Sequence, residues 1–168
     1  MKTLYLIRHA SYDKKDTTVF DEELKLTTSG YEEIDSIAYQ LQAEKIKPEL
    51  ILSSCAIRAQ DTALELSSKL GYAGKVHYLD DLYLSSSNAI KETLTLHPYD
   101  CDNLFIIGHD EPLRVLIGSI SDEKLSEIPN ACVIALTLDI DNWYELDSAK
   151  GNIDFFLYPE QYDEAIAS

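Results

Sequence analysis

Two histidines and two arginines stand where the chain changes from apolar to polar. Arg8 and His9 follow the apolar run Leu4-Tyr5-Leu6-Ile7, and His109 and Asp110 follow Leu104-Phe105-Ile106-Ile107-Gly108. Ser53, Ser54 and, a few residues on, Arg58 follow Leu50-Ile51-Leu52. Arginine presents a planar fork of donors that matches the oxygens of a phosphoryl group. A neutral imidazole can accept a phosphoryl group on one ring nitrogen while the other is held as a donor. A helix entered at Ser54 would add backbone donors and a favourable dipole for an anion. Phosphoryl transfer asks for little beyond positioning and charge stabilisation, so two arginines and a second histidine could support it without a metal. Taken singly, each residue has a plainer reading. Arg-His beside a strand is structural, Arg58 is a surface ion-pairing residue, and His109 is a satisfied loop histidine. The chemistry depends on bringing them together, in a chain with only four histidines.

The elements that must do so follow from hydrophobic patterning. Unbroken apolar runs at 4–7, 50–52 and 104–107 suit strands buried on both faces, and Val76–Leu79 is a weaker strand. Ile34, Ile37, Ala38 and Leu41 follow the helical period, with Thr28 or Ser29 as cap and Ser29 with Glu32 as a capping box. Ala59, Ala63, Leu66 and Leu70 form a second stripe closed by Gly71. A third helix covers Ala89–Leu96 before Pro98, and a short fourth starts near Pro112. Alternating strands and helices predict an α/β fold, a three-layer α/β/α sandwich with a mostly parallel central sheet. Ala131–Leu138 and Trp143–Leu146, separated by a turn at 139–142, and Ile153–Leu157 are read as further strands. Residues 161–168 are read as a fraying end. One domain over residues 1–168 is expected. Ligands of open α/β sheets bind beyond the carboxyl ends of the strands, where Arg8, His9, Ser54, Arg58 and His109 would meet.

Bulk properties narrow the classes. The 168 residues are 45% hydrophobic and 26% charged, a globular composition, with net charge −16. That field repels nucleic acid and anionic membranes, so neither is an expected partner. No apolar run approaches a membrane span, and the start of the chain reads as a strand rather than a secretion signal, so a cytoplasmic location is expected. Three cysteines, Cys55, Cys101 and Cys132, without C-x-x-C spacing argue against a disulfide framework or structural zinc. There is no G-x-S-x-G elbow and no nucleotide P-loop, and 139–142 lacks the glycine of a calcium loop.

Four segments together resemble the histidine phosphatase superfamily, the phosphoglycerate mutase-like fold. They are Leu6-Ile7-Arg8-His9-Ala10, Leu26-Thr27-Thr28-Ser29-Gly30, Ser54-Cys55-Ala56-Ile57-Arg58-Ala59-Gln60-Asp61-Thr62-Ala63 and Ile107-Gly108-His109. The resemblance implies that His9 is the nucleophile that becomes phosphohistidine. It implies that Arg8, Arg58 and His109 bind the phosphoryl oxygens, with Ser54 at the same pocket. It implies no metal and no cofactor. For the general acid it points to Asp81, in Leu79-Asp80-Asp81, with Asp110 as the rival. Ala10 replaces the commoner Gly, Cys55 the commoner Pro, and Asp81 a longer Glu.

Substrate class is read from size. The stretches between Leu82 and Leu104 and between Gly118 and Cys132 leave little room for a lid. An open, shallow site disfavours a mutase and admits a protein-borne phosphate. The expectation is a phosphohistidine phosphatase, similar to the small bacterial ones. Its rivals are a phosphatase of a small phosphorylated metabolite, which Lys14 and Lys15 could help bind, and a non-catalytic module that binds phosphorylated or basic partners.

Overall fold

The computed structural model describes residues 1–83 and 87–159, without the side chain of Ser87. The expected fraying end therefore lies outside the described residues. Six strands form one sheet: β1 (Lys2–Arg8), β2 (Leu50–Ser54), β3 (Val76–Leu79), β4 (Asn103–Gly108), β5 (Val133–Leu138) and β6 (Gly151–Leu157). Their order is β3-β2-β4-β1-β5-β6. The first four run parallel, β5 runs antiparallel to β1, and β6 runs antiparallel to β5.

Successive residues of β1 and β4 feed opposite cores, because side chains alternate across a strand. Leu4, Leu6, Leu104 and Ile106 pack with α3 (Ser87–Leu96) and α4 (Asp110–Ile120). Tyr5, Ile7, Phe105 and Ile107 pack with α1 (Thr28–Ala43) and α2 (Ile57–Lys69). This two-sided burial explains the unbroken apolar runs and makes the expected three layers. The connection after β1 leaves for the α1 side, and that after β4 for the α4 side. Adjacent strands whose connections diverge leave a crevice at their carboxyl ends.

Local signals explain most boundaries. α2 ends in a Schellman motif: Tyr72 N–H bonds Ser67 O at 2.9 Å and Gly71 N–H bonds Ser68 O at 3.2 Å, with Gly71 at φ 65°. The cap of α1 differs from expectation. Thr27, not Thr28 or Ser29, is the N-cap, and its Oγ1 accepts from Gly30 N at 3.1 Å. The helix starts one residue early because Thr27 N also bonds Ser11 O, at 3.1 Å, tying the helix entry to the segment after β1. A Cβ on Gly30 would run into that same carbonyl oxygen. α4 begins at Asp110, so Pro112 is its third residue.

The reading of Trp143–Leu146 as a strand is overturned. Trp143–Ser148 is a 3-10 helix, with Trp143 and Leu146 buried. Their spacing of three is one turn of such a helix. Trp143 packs among Ile90, Leu94 and Ile140, and its indole N–H donates to Cys101 O at 2.9 Å. Trp143→Ala is expected to cost about 3–5 kcal/mol, from lost burial and the unpaired carbonyl. Urea unfolding followed by far-UV circular dichroism measures this; a loss under about 1 kcal/mol contradicts the packing role.

Candidate active site

The β1–β4 register pairs Arg8 with Gly108, so the next residue of each strand, His9 and His109, leaves the sheet at one level. His9 N–H extends the ladder to Gly108 O at 3.0 Å. The two rings lie 5.1 Å apart. β2 pairs Ser53 with Ile107 and brings Ser54 to the same edge. The expected convergence of the three strand ends is what the topology delivers.

His9 is 3% exposed. Its Nδ1 lies 2.9 Å from Ala10 O, which can only accept, so Nδ1 carries the proton and Nε2 has its lone pair free. Burial, opposed by the Ala10 bond and aided by His109, Arg58 and Arg8, pushes the pKa of His9 down to about 3. Burial, then Arg58, takes His109 down to about 4, with Asp21 opposing. Both rings are neutral at physiological pH. Their folded pKa values lie below the ordinary value, so the unfolded chain binds more protons in acid. The resulting stability is complete above about pH 6.5 and is lost as pH falls toward the folded values, for His9 by about 1.4 kcal/mol per pH unit. Denaturant midpoints from pH 7 to 4.5 measure this. His9→Gln is expected to flatten the slope by close to one proton, and an unchanged slope contradicts the assignment.

Thr62 on α2 links the segment that follows His9 to Arg58. Its hydroxyl accepts from Ala10 N at 3.0 Å and donates to Arg58 O at 2.7 Å. Arg58 sits 4.6 Å from the centroid of the Tyr12 ring. Its Nη1 donates to Asp21 O at 2.7 Å and its Nη2 to Asp21 Oδ2 at 3.0 Å. Arg8 Nη1 donates to Ile128 O at 2.6 Å and lies 3.7 Å from Glu127. The Nε groups of Arg8 and Arg58 are buried and have no hydrogen-bond partner among the described residues. Buried donors without partners are rare, and these two belong to cations that face both histidines.

Ser54 is fully buried. Its Oγ accepts from Ala56 N at 3.2 Å and lies 2.9 Å from His109 Nε2. Its hydroxyl is thus committed to holding His109. α2 starts at Ile57 with Ala56 as cap. Asp110 is likewise engaged: Oδ1 accepts from Ile128 N at 2.7 Å and Arg114 Nε at 3.1 Å. Asp81 is exposed on a 3-10 turn spanning Asp80–Leu82. Burial, then a bond to Asp80, pushes the Cys55 thiol up to about 11, so it stays protonated and is a poor nucleophile. Among the described residues, no group of three or more His, Cys, Asp or Glu could hold a metal ion.

Three residues at the site had no sequence signal. Tyr12 lies edge-on to His9 at 5.1 Å, and Tyr83 lies edge-on to His109 at 5.7 Å. Tyr83 OH donates to Asp21 Oδ2 at 2.6 Å, and Asp21 stands in an exposed 3-10 turn, Asp21–Glu23. Only the Thr-Ala pair of the α2 segment could have pointed to Thr62.

The model of the histidine phosphatase superfamily (branch 1) matches residues 4–83. By sequence, the chain matches no curated protein. Among solved structures it is similar to the protein histidine phosphatase SixA complexed with tungstate, at TM-score 0.82 and 20% identity, covering 95% of this chain and 98% of that one. It is similar to a protein assigned as the phosphohistidine phosphatase SixA of Agrobacterium tumefaciens, at TM-score 0.78 and 22% identity, covering 94% and 98%. A mycobacterial glucosyl-3-phosphoglycerate phosphatase is more distant, at TM-score 0.68 and 16% identity, covering 91% and 97%. The family model thus covers the part of the chain that carries Arg8, His9 and Arg58, and the fold is shared with these phosphatases over nearly the whole length.

Proposed function

We propose that this protein is a metal-independent phosphatase that passes a phosphoryl group onto Nε2 of His9 and then to water, with protein-borne phosphohistidine as its substrate class. One observation carries the reading: a buried, neutral His9 with a free Nε2 stands beside Arg8 and Arg58, whose buried Nε donors lack partners among the described residues. In this reading Arg8, Arg58 and His109 bind the phosphoryl oxygens and stabilise their charge in the transition state. Ser54 acts through His109 by fixing its ring. Asp81, open to solvent, is the candidate general acid for poor leaving groups. Asp110, already bonded to Ile128 N and Arg114 Nε, suits a structural role. Likeness to SixA, a protein histidine phosphatase that binds the oxyanion tungstate, supports the substrate class.

Metabolite phosphatase activity is the second reading, favoured by Lys14, whose Nζ lies 5.4 Å from the Tyr12 ring at the mouth of the site. Hydrolysis of an aryl phosphate with chelator present tests the chemistry, and release of phosphate from a phosphohistidine-bearing protein tests the substrate class. Activity lost on chelation would sink the metal-independent reading. Turnover of small phosphate esters but not of the phosphoprotein would favour the metabolite.

A further inference from the structure

Six side chains close a ring of contacts around the site. His9 meets His109 at 5.1 Å, and His109 meets Tyr83 at 5.7 Å. The Tyr83 hydroxyl reaches Asp21 at 2.6 Å, and Asp21 pairs with Arg58 at 3.0 Å. Arg58 lies 4.6 Å from the Tyr12 ring, and Tyr12 returns to His9 at 5.1 Å. Asp21 is the member three contacts from His9 in either direction. In-line displacement puts the leaving group on the side away from the nucleophile. By contacts Asp21 is the ring member farthest from His9, and it is open to solvent, so a group that departs away from His9 toward solvent can pass it. Oδ2 serves Tyr83 and Arg58, whereas Oδ1 has no partner among the described residues, in a side chain 59% exposed.

We propose that Asp21 is a specificity-determining residue whose Oδ1 accepts the distal ring N–H of a protonated phosphoimidazole and so selects phosphohistidine over esters with anionic leaving groups. This rests on the phosphatase reading above and deepens it. The Tyr83 hydroxyl, then Arg58, holds the Asp21 carboxyl below its ordinary value, so it is an acceptor at neutral pH. Tyr83, pushed up to about 12 by burial and by Asp21, keeps its proton. The two imidazoles then become counterparts. His9 has its Nδ1–H on Ala10 O, and the substrate ring has its N–H on Asp21. As the P–Nε2 bond to His9 forms, the substrate's P–N bond breaks and its electron pair returns to the ring nitrogen. The proton already on the distal nitrogen stays there, and neutral imidazole leaves. No acid has to deliver a proton to this leaving group. A leaving group that carries a carboxylate instead meets like charge at Asp21.

The test compares kcat/KM for N-phosphoimidazole, phenyl phosphate and 4-carboxyphenyl phosphate in wild type, Asp21→Asn and Asp21→Ser. Ratios between substrates do not depend on the fraction of each variant that is folded. In both variants the ratio of phosphoimidazole to phenyl phosphate is expected to fall on the order of ten- to a hundredfold, the worth of a hydrogen bond to a charged group. The ratio of 4-carboxyphenyl to phenyl phosphate is expected to rise. An equal loss on all three substrates overturns the proposal, because Asp21 then acts only by holding Arg58. No turnover of any substrate by wild type overturns the phosphatase reading itself, and this inference with it.

Discussion

His9→Ala is expected to reduce hydrolysis of an aryl phosphate by at least about a thousandfold, since the residual rate is what binding and charge stabilisation achieve without a nucleophile. An aryl phosphate has an easy leaving group, so the result does not depend on whether Asp81 or Asp21 assists departure. The variant is expected to fold. What it loses is one neutral ring among Tyr12 and His109, together with the donor to Ala10 O, a cost of about 1–3 kcal/mol. The backbone bonds that set the site persist, because His9 N–H to Gly108 O and Ala10 N–H to Thr62 Oγ1 do not involve the ring. Steady-state kinetics beside a thermal melt measure both quantities. Wild-type rates in a folded variant would remove His9 from the mechanism and leave His109 as the next nucleophile to test.

Arg58→Met separates function from stability. The guanidinium is buried, its Nε is unpaired among the described residues, and its ion pair with Asp21 is partly exposed. An apolar chain of similar volume keeps the contact with Tyr12 and removes the desolvation penalty of the guanidinium, while the Asp21 left behind is 59% exposed and keeps its bond from Tyr83, so no buried charge is stranded. The melting temperature is therefore expected to hold or rise. kcat/KM is expected to fall by about two to three orders of magnitude, the usual effect of removing one preorganised donor from developing charge. A drop in melting temperature matching the drop in activity would mean that Arg58 is structural and that the phosphate-binding reading is wrong. Such a trade-off is expected wherever a site keeps cations buried for a ligand.

Much of the arrangement was legible before any coordinates. β1, β2 and β4 are apolar because both their faces are covered, and that leaves a run no surface strand would tolerate. The parallel order followed from the alternation of strands and helices. A parallel sheet sends every strand's next residues to one edge, so His9, His109 and Ser54 could be assigned to one place. Trp143–Leu146 was misread because a four-residue segment with an apolar residue at each end fits either a short strand or one helical turn, and only the packing against α3 decides. Thr27 was missed as a cap because three consecutive residues, Thr27, Thr28 and Ser29, can all cap, and the choice was made by Ser11, sixteen residues earlier in the chain.

Local rules operate over a few residues, and they determined the strands, the helices and the edge at which the chemistry gathers. Tertiary structure decided what each polar group faces. Ser54 has its hydroxyl on His109, because β2 buries it completely at the same edge. Asp21 sits in an Asp-Glu-Glu turn that by charge alone reads as solvated surface. It became part of the site only because α2 carries Arg58 to it across 37 residues and the segment after β3 carries Tyr83 across 62. No pattern among eleven tyrosines marks Tyr12 or Tyr83, since a ring beside an imidazole is defined by distance in space, and nothing in the spacing of residues along the chain encodes it.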